Sequence, residues 1–478
     1  MIWLRDHSFM LVLLVGYTAL MVYHAWSGGR KTKGAADYFV GGRSMSGIAL
    51  GISFFATYAS TNTYLGLSMK AYDYGLAWML LIPFAIGFSA LSWILIAPRM
   101  RKVTESLDSV TIPDFIGHRF GSTPARALAS VIVIFASFLY MTAVYKGIGN
   151  LLQAMLDVPY PVAILLVLVI VSVYTSVGGF HSVVKTDVVQ GLLMIVAAFF
   201  IFWGITRAAG GIGSLSRLGD SPETASLLDW DTAMPLSIVI GIIFATTIKF
   251  FVDPRQLSRF YALKDRREMI KGVAFSTACF VVVFCLLVPL GLYARLALSS
   301  PVEDTDKIIP TLLADGSVFP SWVTAFLCVA IISAAMSSLD SVLLVMACTC
   351  QRDLVGLFRP GATDKSQLKT ARILVFVFAI ITALIALKPP GGIVAMTSFS
   401  GSLYAACFLP AIIFGLYAKR GSGAAVITSF AVGLAVLASW DVITGLAAPL
   451  ANVHRVFPAS VLSMIAFWLV SRFQPARV

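Results

Sequence analysis

Long apolar stretches alternate with short polar loops along the whole chain. A helix needs about 20 apolar residues to cross the hydrocarbon core of a bilayer. The pattern therefore predicts an all-α integral membrane protein. Thirteen segments are apolar and long enough to be transmembrane helices: 8–27, 45–68, 75–97, 126–154, 160–179, 185–206, 234–252, 270–297, 320–349, 370–388, 391–416, 422–443 and 456–472.

Composition agrees with a membrane protein. The 478 residues are 59% hydrophobic and 12% charged, and a soluble domain carries about twice that charged fraction. The net charge of +12 is spread over short loops, which favours the positive-inside rule over a nucleic-acid partner.

Lysine and arginine are concentrated in alternate loops. They follow the first, third, seventh, ninth, eleventh and thirteenth spans; Arg99 and Lys102 follow the third, and Arg255 and Arg259 are assigned to the loop after the seventh. Acidic residues collect in the loop after the sixth span. Because cationic loops stay in the cytoplasm, we expect the N-terminus outside and the C-terminus inside, in the inner (plasma) membrane.

Several other classes of protein are not supported. The first apolar run lacks a small-residue cleavage site, so we expect a retained span and not a signal peptide. The six cysteines lie in apolar segments and the five histidines at ends and loops, which indicates neither a disulfide framework nor a catalytic cluster. There is no phosphate-binding loop motif, and no attached soluble domain is expected. We do not expect an enzyme.

The second span has a polar centre. Residues 56–63 read ATYASTNT, a run with poor helix propensity whose hydroxyls compete for backbone hydrogen bonds. One interpretation is local unwinding, which a membrane tolerates only where the freed carbonyls line a cavity or bind something. The other is a continuous helix whose hydroxyls bond to its own carbonyls.

The ninth span carries a carboxylate among serines. Ala334, Ser337, Ser338 and Ser341 follow the spacing of one helical face, and Asp340 lies on its flank. Small-residue packing explains the serines but not a charge at this depth. Hydroxyl, carboxylate and carbonyl oxygens together suit a small hard cation.

Three further charges fall inside or beside spans. Asp187 is either an interfacial acid near Lys185 or the last carboxylate on an ion route. Lys249 either extends to the membrane surface or faces a pocket, and Lys146 presents the same alternatives. A pocket-facing lysine would favour an anionic substrate group.

The polar second and seventh spans are five spans apart, so they cross the membrane in opposite directions. Two irregular spans at matching positions of two halves are typical of an inverted-repeat transporter with its site near the midplane. The pattern predicts a secondary transporter.

Four motifs in this order carry a family resemblance: ADYFVGGRSMSG (36–47), VTIPDFIGHRF (110–120), YTSVGGFHSVVKTDVVQG (174–191) and AAMSSLDS (334–341). Together they resemble the sodium:solute symporter family, which includes proline, pantothenate, sialic acid, monocarboxylate and sodium/glucose symporters.

The resemblance implies a leucine-transporter-like fold of two inverted five-helix repeats. The implied divisions are an N-terminal helix and linker (1–44), the first repeat (45–206), an external loop (207–233), the second repeat (234–416) and two C-terminal helices (417–478).

The resemblance also implies three sets of site residues. Sodium would be bound by Ala56, Ala59, Ala334, Ser337 and Ser338. A possible second cation or proton would use Asp187, Asp340 and Ser341, with Ser337 shared. Substrate contacts would come from Ser60, Asn62, Thr63, Thr246 and Lys249.

The implied activity is sodium-coupled symport of a small organic solute by alternating access. Sugar carriers have an amide and a glutamate where this chain has Thr63 and Ile82, which argues against a sugar. Lys249 replaces a gating aromatic and favours a carboxylate: a monocarboxylate, a pantothenate-like acid, an amino acid or a sialic acid.

Proton-coupled symport on the same fold is the nearest alternative; a sugar symporter, a transporter-like sensor and a passive channel are more distant ones. The expected partners are the solute, sodium and the lipid bilayer, with no cofactor beyond the coupling ion and no protein partner.

Overall fold

The computed structural model describes residues 7–30, 34–231, 234–359 and 361–473, and these residues form α-helices with no β-strand among them. The all-α prediction is confirmed. The longer helices, numbered in chain order, are α1 Ser8–Gly29, α2 Gly47–Tyr58, α3 Leu81–Leu91, α4 Ala97–Ser106, α5 Ile112–Phe120, α6 Thr123–Leu156, α7 Tyr160–Ala208, α8 Leu236–Thr247, α9 Pro254–Tyr261, α10 Arg266–Leu287, α11 Leu290–Ala297, α12 Ser321–Thr349, α13 Asp364–Ala386, α14 Ile393–Tyr417, α15 Gly423–Leu446 and α16 Val456–Arg472.

Among the described residues, ten helical stretches are long and apolar enough to cross a bilayer. Three shorter apolar helices, Gly47–Tyr58, Tyr160–Ser172 and Val456–Arg472, coincide with three more of the predicted spans. The count of thirteen spans stays a prediction.

Helix α12 runs through the interior of the bundle. In its most apolar window 94% of the residues are buried, against 22% in α1. Helix α12 packs against α7, α6, α1 and α2, and α1 also packs against α7. The serine-rich segment of α12 is therefore enclosed by protein and not by lipid.

The helical structure is interrupted inside the predicted span 45–68 and directly after the predicted span 234–252. Helix α2 ends at Tyr58, Ala59 is extended (φ −70°, ψ 104°), and a wide helical turn resumes at Asn62–Gly66. In the second half, Asp253 is extended (φ −75°, ψ 122°) between Lys249–Val252 and α9. Pro254 explains the second break, because proline lacks an N–H and excludes the helical conformation from the residue before it. Of the two interpretations of the second span, the structure shows the local unwinding.

The assignment of Arg255 and Arg259 to a cytoplasmic loop is wrong. After the Asp253 break the chain continues as α9, and the two side chains are 3% and 1% exposed. They lie four residues apart and share one helical face. Because buried counter-ions neutralise them, they are compatible with the interior despite their charge.

We predict that Gly401→Ala destabilises the fold by about 1–3 kcal/mol through overpacking. A Cβ at Gly401 of α14 would lie 1.8 Å from the Ala245 carbonyl oxygen of α8, and backbone cannot rotate away as a side chain can. Thermal unfolding in detergent measures the effect. The control is Gly87→Ala in α3, where a Cβ meets nothing within 4 Å and alanine has the better helix propensity. An unchanged melting temperature for Gly401→Ala would contradict this close approach of the helices.

Candidate functional site

The break after α2 leaves backbone carbonyls without their helical N–H donors. Serine hydroxyls of α12 donate hydrogen bonds to these carbonyls instead. The Ser337 hydroxyl donates to the Ala56 carbonyl at 2.9 Å and also contacts the Ala334 carbonyl at 2.9 Å. The Ser338 hydroxyl donates to the Thr57 carbonyl at 3.1 Å. The helix ladder of α2 stops at the extended Ala59, so these side chains replace the missing N–H donors.

These contacts bring together four of the five residues predicted to bind sodium: Ala56, Ala334, Ser337 and Ser338. Ala59, the fifth, is the residue at the break. The donor set consists of carbonyl and hydroxyl oxygens that are excluded from solvent. Oxygen ligands of this kind fit a small hard cation and not a soft metal.

Asp187 of α7 lies beside this cluster and is paired with Arg259. The Arg259 guanidinium is 2.9 Å from the Asp187 carboxylate and donates to the Ser341 hydroxyl at 2.7 Å. The Ser53 hydroxyl donates to the same carboxylate at 2.5 Å, and Thr57 lies 3.3 Å from Ser341. Asp187 and Ser341 are thus brought together, with a guanidinium between them that the sequence did not predict.

Asp340 contacts a different part of the protein. Its carboxylate accepts a hydrogen bond from the Thr175 hydroxyl of α7 at 2.9 Å. Thr175 precedes Gly179, where α7 kinks through a positive φ of 67°. Asp340 therefore links α12 to α7 just before this kink, whereas Ser341 faces α2 and α9.

Lys249 points into the protein and not toward the membrane surface. Its side chain is 3% exposed, and its ammonium donates to the Thr397 carbonyl of α14 at 2.6 Å. Asn62, beyond the first break, accepts a hydrogen bond from the Thr397 hydroxyl at 3.2 Å. No carboxylate lies within ion-pairing distance of Lys249 among the described residues. Lys249 and Asn62 thus meet at one turn of α14.

The remaining predicted substrate residues differ in their surroundings. The Ser60 hydroxyl accepts the Asn62 N–H at 3.1 Å and shapes the break. The Thr63 hydroxyl is buried without a hydrogen-bond partner in the described part of the chain. The Thr246 hydroxyl bonds to carbonyls of its own helix, while its carbonyl accepts the Tyr58 hydroxyl at 3.2 Å. Within the described residues the Thr63 hydroxyl therefore lacks a hydrogen-bond partner, whereas the Thr246 hydroxyl has one.

Tyr140 of α6 lies between Ser338, one of the residues predicted to bind sodium, and Lys249. Its hydroxyl donates to Ser338 at 3.3 Å, and its ring lies 5.0 Å from the Lys249 ammonium. Arg255 stacks on the ring at 3.7 Å and is paired with Asp253. Sequence reasoning missed Tyr140, since an aromatic residue in an apolar helix has no pattern that separates it from core.

A cavity of about 430 Å³ lies above this region, on the side predicted to be external. It extends to Ser398 and Phe399, next to Thr397, and has acidic and basic walls. Lys146 belongs to this side: its ammonium lies 2.7 Å from the Asp306 carboxylate, so it does not face the Lys249 region. Burial, with the neighbouring Arg455, lowers the pKa of the loop residue His454 to about 4, which leaves this wall residue neutral at physiological pH.

On the opposite side, the residues around Arg259 are tightly packed. The gap beside Arg259 and Ser341 measures only about 20 Å³. Below it, Arg126 bridges Asp114 and Asp353 at 2.8 Å each, which ties α5 and α6 to the segment after α12. The larger cavity therefore lies on the side predicted to be external, and the gap beside Arg259 and Ser341 is narrow.

Comparisons with known proteins agree with this geometry. A family model described as sodium:solute symporter family matches residues 38–433. The sodium/pantothenate symporter of Haemophilus influenzae is 28% identical over 460 residues, 94% of this chain and 93% of the relative. The osmoregulated proline transporter OpuE of Bacillus subtilis is 29% identical over 473 residues, 97% of this chain and 95% of the relative.

Among solved structures, a substrate-bound, outward-open Na⁺-coupled sialic acid symporter superposes with a TM-score of 0.83 at 22% identity, covering 98% of both chains. This likeness, with that to the nucleobase-cation symporter Mhp1 at a TM-score of 0.60, confirms the leucine-transporter-like fold. The chain belongs to the sodium:solute symporter family and is a multi-pass membrane transporter, not an enzyme, in a family that couples solute uptake to sodium.

Proposed function

We propose that this symporter carries a small solute bearing a carboxylate, and that Lys249 binds the carboxylate. The observation that supports the proposal is the buried Lys249 ammonium, which has no carboxylate partner among the described residues. A buried charge is stable only when it is paired. A substrate carboxylate entering from the outer cavity would supply that partner, with Asn62 and Thr63 offering further polar contacts.

The relatives are compatible with this substrate class. Their names specify pantothenate and proline, and the superposed structure carries sialic acid. All three compounds have a carboxylate. A monocarboxylate or another amino acid shares the feature, and a sugar does not.

Sodium is proposed to bind where Ser337 and Ser338 meet the broken α2, with Ala56, Ala59 and Ala334 as carbonyl ligands. The ion would hold α2 against α12 and complete the pocket, and rocking of the two halves would then open the inner side. A sodium gradient is sufficient to drive this cycle: about 2.3 kcal/mol per 100 mV plus about 1.4 kcal/mol for a tenfold concentration ratio.

A second cation or a proton at Asp187, Asp340 and Ser341 remains a proposal. In this structure Arg259 neutralises Asp187, so an ion would enter only after the guanidinium moves away. The Asp340 carboxylate would bind the second cation or the proton after its hydrogen bond with the Thr175 hydroxyl is broken. The proposed topology has thirteen spans in the inner membrane with the N-terminus outside and two inverted repeats, 45–206 and 234–416.

We predict that Ser338→Ala weakens sodium activation of uptake by about 10- to 100-fold. A ligand bond to a charged group contributes about 1.5–3 kcal/mol. Uptake into proteoliposomes, measured against sodium concentration, gives the half-saturating value. The control is Ser333→Ala on the same helix, because that hydroxyl bonds only to the Ala330 carbonyl one turn away. Equal sodium dependence in the Ser338 and Ser333 variants would contradict the assignment of the sodium site.

The role proposed for Lys249 is tested by comparing ligands that differ only in carrying a carboxylate or an amide. Thermal-shift titration in sodium is expected to show the wild-type protein preferring an acid over its amide, proline over prolinamide or pantothenate over its amide, by about 10- to 100-fold. Lys249→Gln should remove this preference while leaving sodium activation intact. If Lys249→Gln kept the acid-over-amide preference, Lys249 would not be the carboxylate partner.

Proton coupling makes a different prediction. With the membrane potential clamped, we expect uptake to follow the sodium gradient and to persist when a protonophore removes the pH gradient. Uptake that follows the pH gradient and ignores sodium would instead support a proton-coupled carrier.

A further inference from the structure

The cation-rich end of α13 carries a groove outside the candidate site described above. It has a volume of about 330 Å³ and follows one face of the helix, at the end predicted to be cytoplasmic. Its lining consists of three cations and three apolar side chains: Lys365, Lys369, Arg372, Leu368, Ile373 and Phe376.

The three cations form a single stripe. Lys365, Lys369 and Arg372 follow i, i+4 and i+7 spacing, so their side chains leave the helix on one face. None of them forms an ion pair within the described residues, in contrast to Arg126 and Arg352 on the same side of the protein, which are bound to Asp353 and Asp114. The stripe is an unneutralised cationic surface.

The same face continues as an exposed apolar strip toward the middle of the membrane. Phe376, Ile380 and Leu384 are 41%, 47% and 63% exposed. From Arg372 to Leu384 the helix rises about 18 Å at roughly 1.5 Å per residue. This length is close to half of the roughly 30 Å hydrocarbon core, the depth that one acyl chain fills.

We propose that this face of α13 is a binding site for an anionic phospholipid. The phosphate head group would lie among Lys365, Lys369 and Arg372, and an acyl chain would follow Phe376, Ile380 and Leu384. A zwitterionic lipid has the same tail but leaves the three cations without net neutralisation, so the site should select negative head groups. The acid of the same turn, Asp364, has its carboxylate close to Gly34.

Native mass spectrometry of the purified full chain tests the proposal, with cardiolipin and phosphatidylcholine titrated separately. The triple variant Lys365→Gln, Lys369→Gln, Arg372→Gln should bind cardiolipin about 100-fold more weakly, since each cation near a lipid surface contributes about a factor of five. The control removes three exposed cations from the same side, Lys264→Gln, Arg266→Gln and Arg267→Gln, and should bind like the wild type. Phosphatidylcholine binding should not differ between variants.

Two other results would overturn the proposal. An equal loss of cardiolipin in both triple variants would show a general effect of surface charge and no site on α13. Displacement of the lipid by free glycerol phosphate would show a phosphate site that needs no acyl chain. The double variant Ile380→Ser, Leu384→Ser keeps every cation and should still weaken cardiolipin binding several-fold. Unchanged binding would show that the acyl chain does not contact these residues. All three variants change exposed side chains, and the melting temperature in lipid-free detergent confirms that they fold.

Discussion

The rest of the site depends on one constraint: a backbone carbonyl inside a bilayer must have a partner. The chain breaks α2 at Ala59 in the middle of the protein, where water does not replace the lost N–H donors. Ser337 and Ser338 of α12 satisfy the Ala56 and Thr57 carbonyls. The same oxygens are of the kind that a sodium ion prefers, which is why the sodium site is proposed at this break.

Charge compensation organises the rest of the interior. Asp187 is held by Arg259, Arg255 by Asp253, and Lys146 by Asp306. Lys249 has a carbonyl and an aromatic ring instead of a carboxylate. Among the described residues, charges that hold helices together are thus paired, whereas Lys249, where the solute is proposed to bind, has no carboxylate partner. Tyr140 contacts both that cation and a proposed sodium ligand, so it lies between the two proposed sites.

Much of this could be predicted from the sequence, because polar residues in a membrane span are few and each needs a reason. The break in the second span and the serine face of α12 follow from helix propensity and i, i+3, i+4 spacing. The position of Asp187 beside Ser341 depended on the family resemblance. Arg259 could not be placed, since a basic segment after an apolar run has the same pattern whether it leaves the membrane or turns back into the protein. The signal that separates the two cases is Pro254, which marks a break and not an end.

Asp340 shows a second limit. Its position on the flank of the serine face did not predict the hydrogen bond that it accepts from Thr175 of α7. Residues such as Tyr140 acquire meaning only from tertiary contacts, because in the sequence they are indistinguishable from ordinary core residues.

The central claim is that sodium fastens the broken α2 to α12. Hydrogen exchange of the intact protein, compared in sodium chloride and potassium chloride, measures this directly at the backbone. We expect the amides of 59–63 and 334–341 to exchange at least several-fold more slowly in sodium, while α15, remote from the site, shows no difference. Equal exchange of both segments in the two salts would contradict the claim.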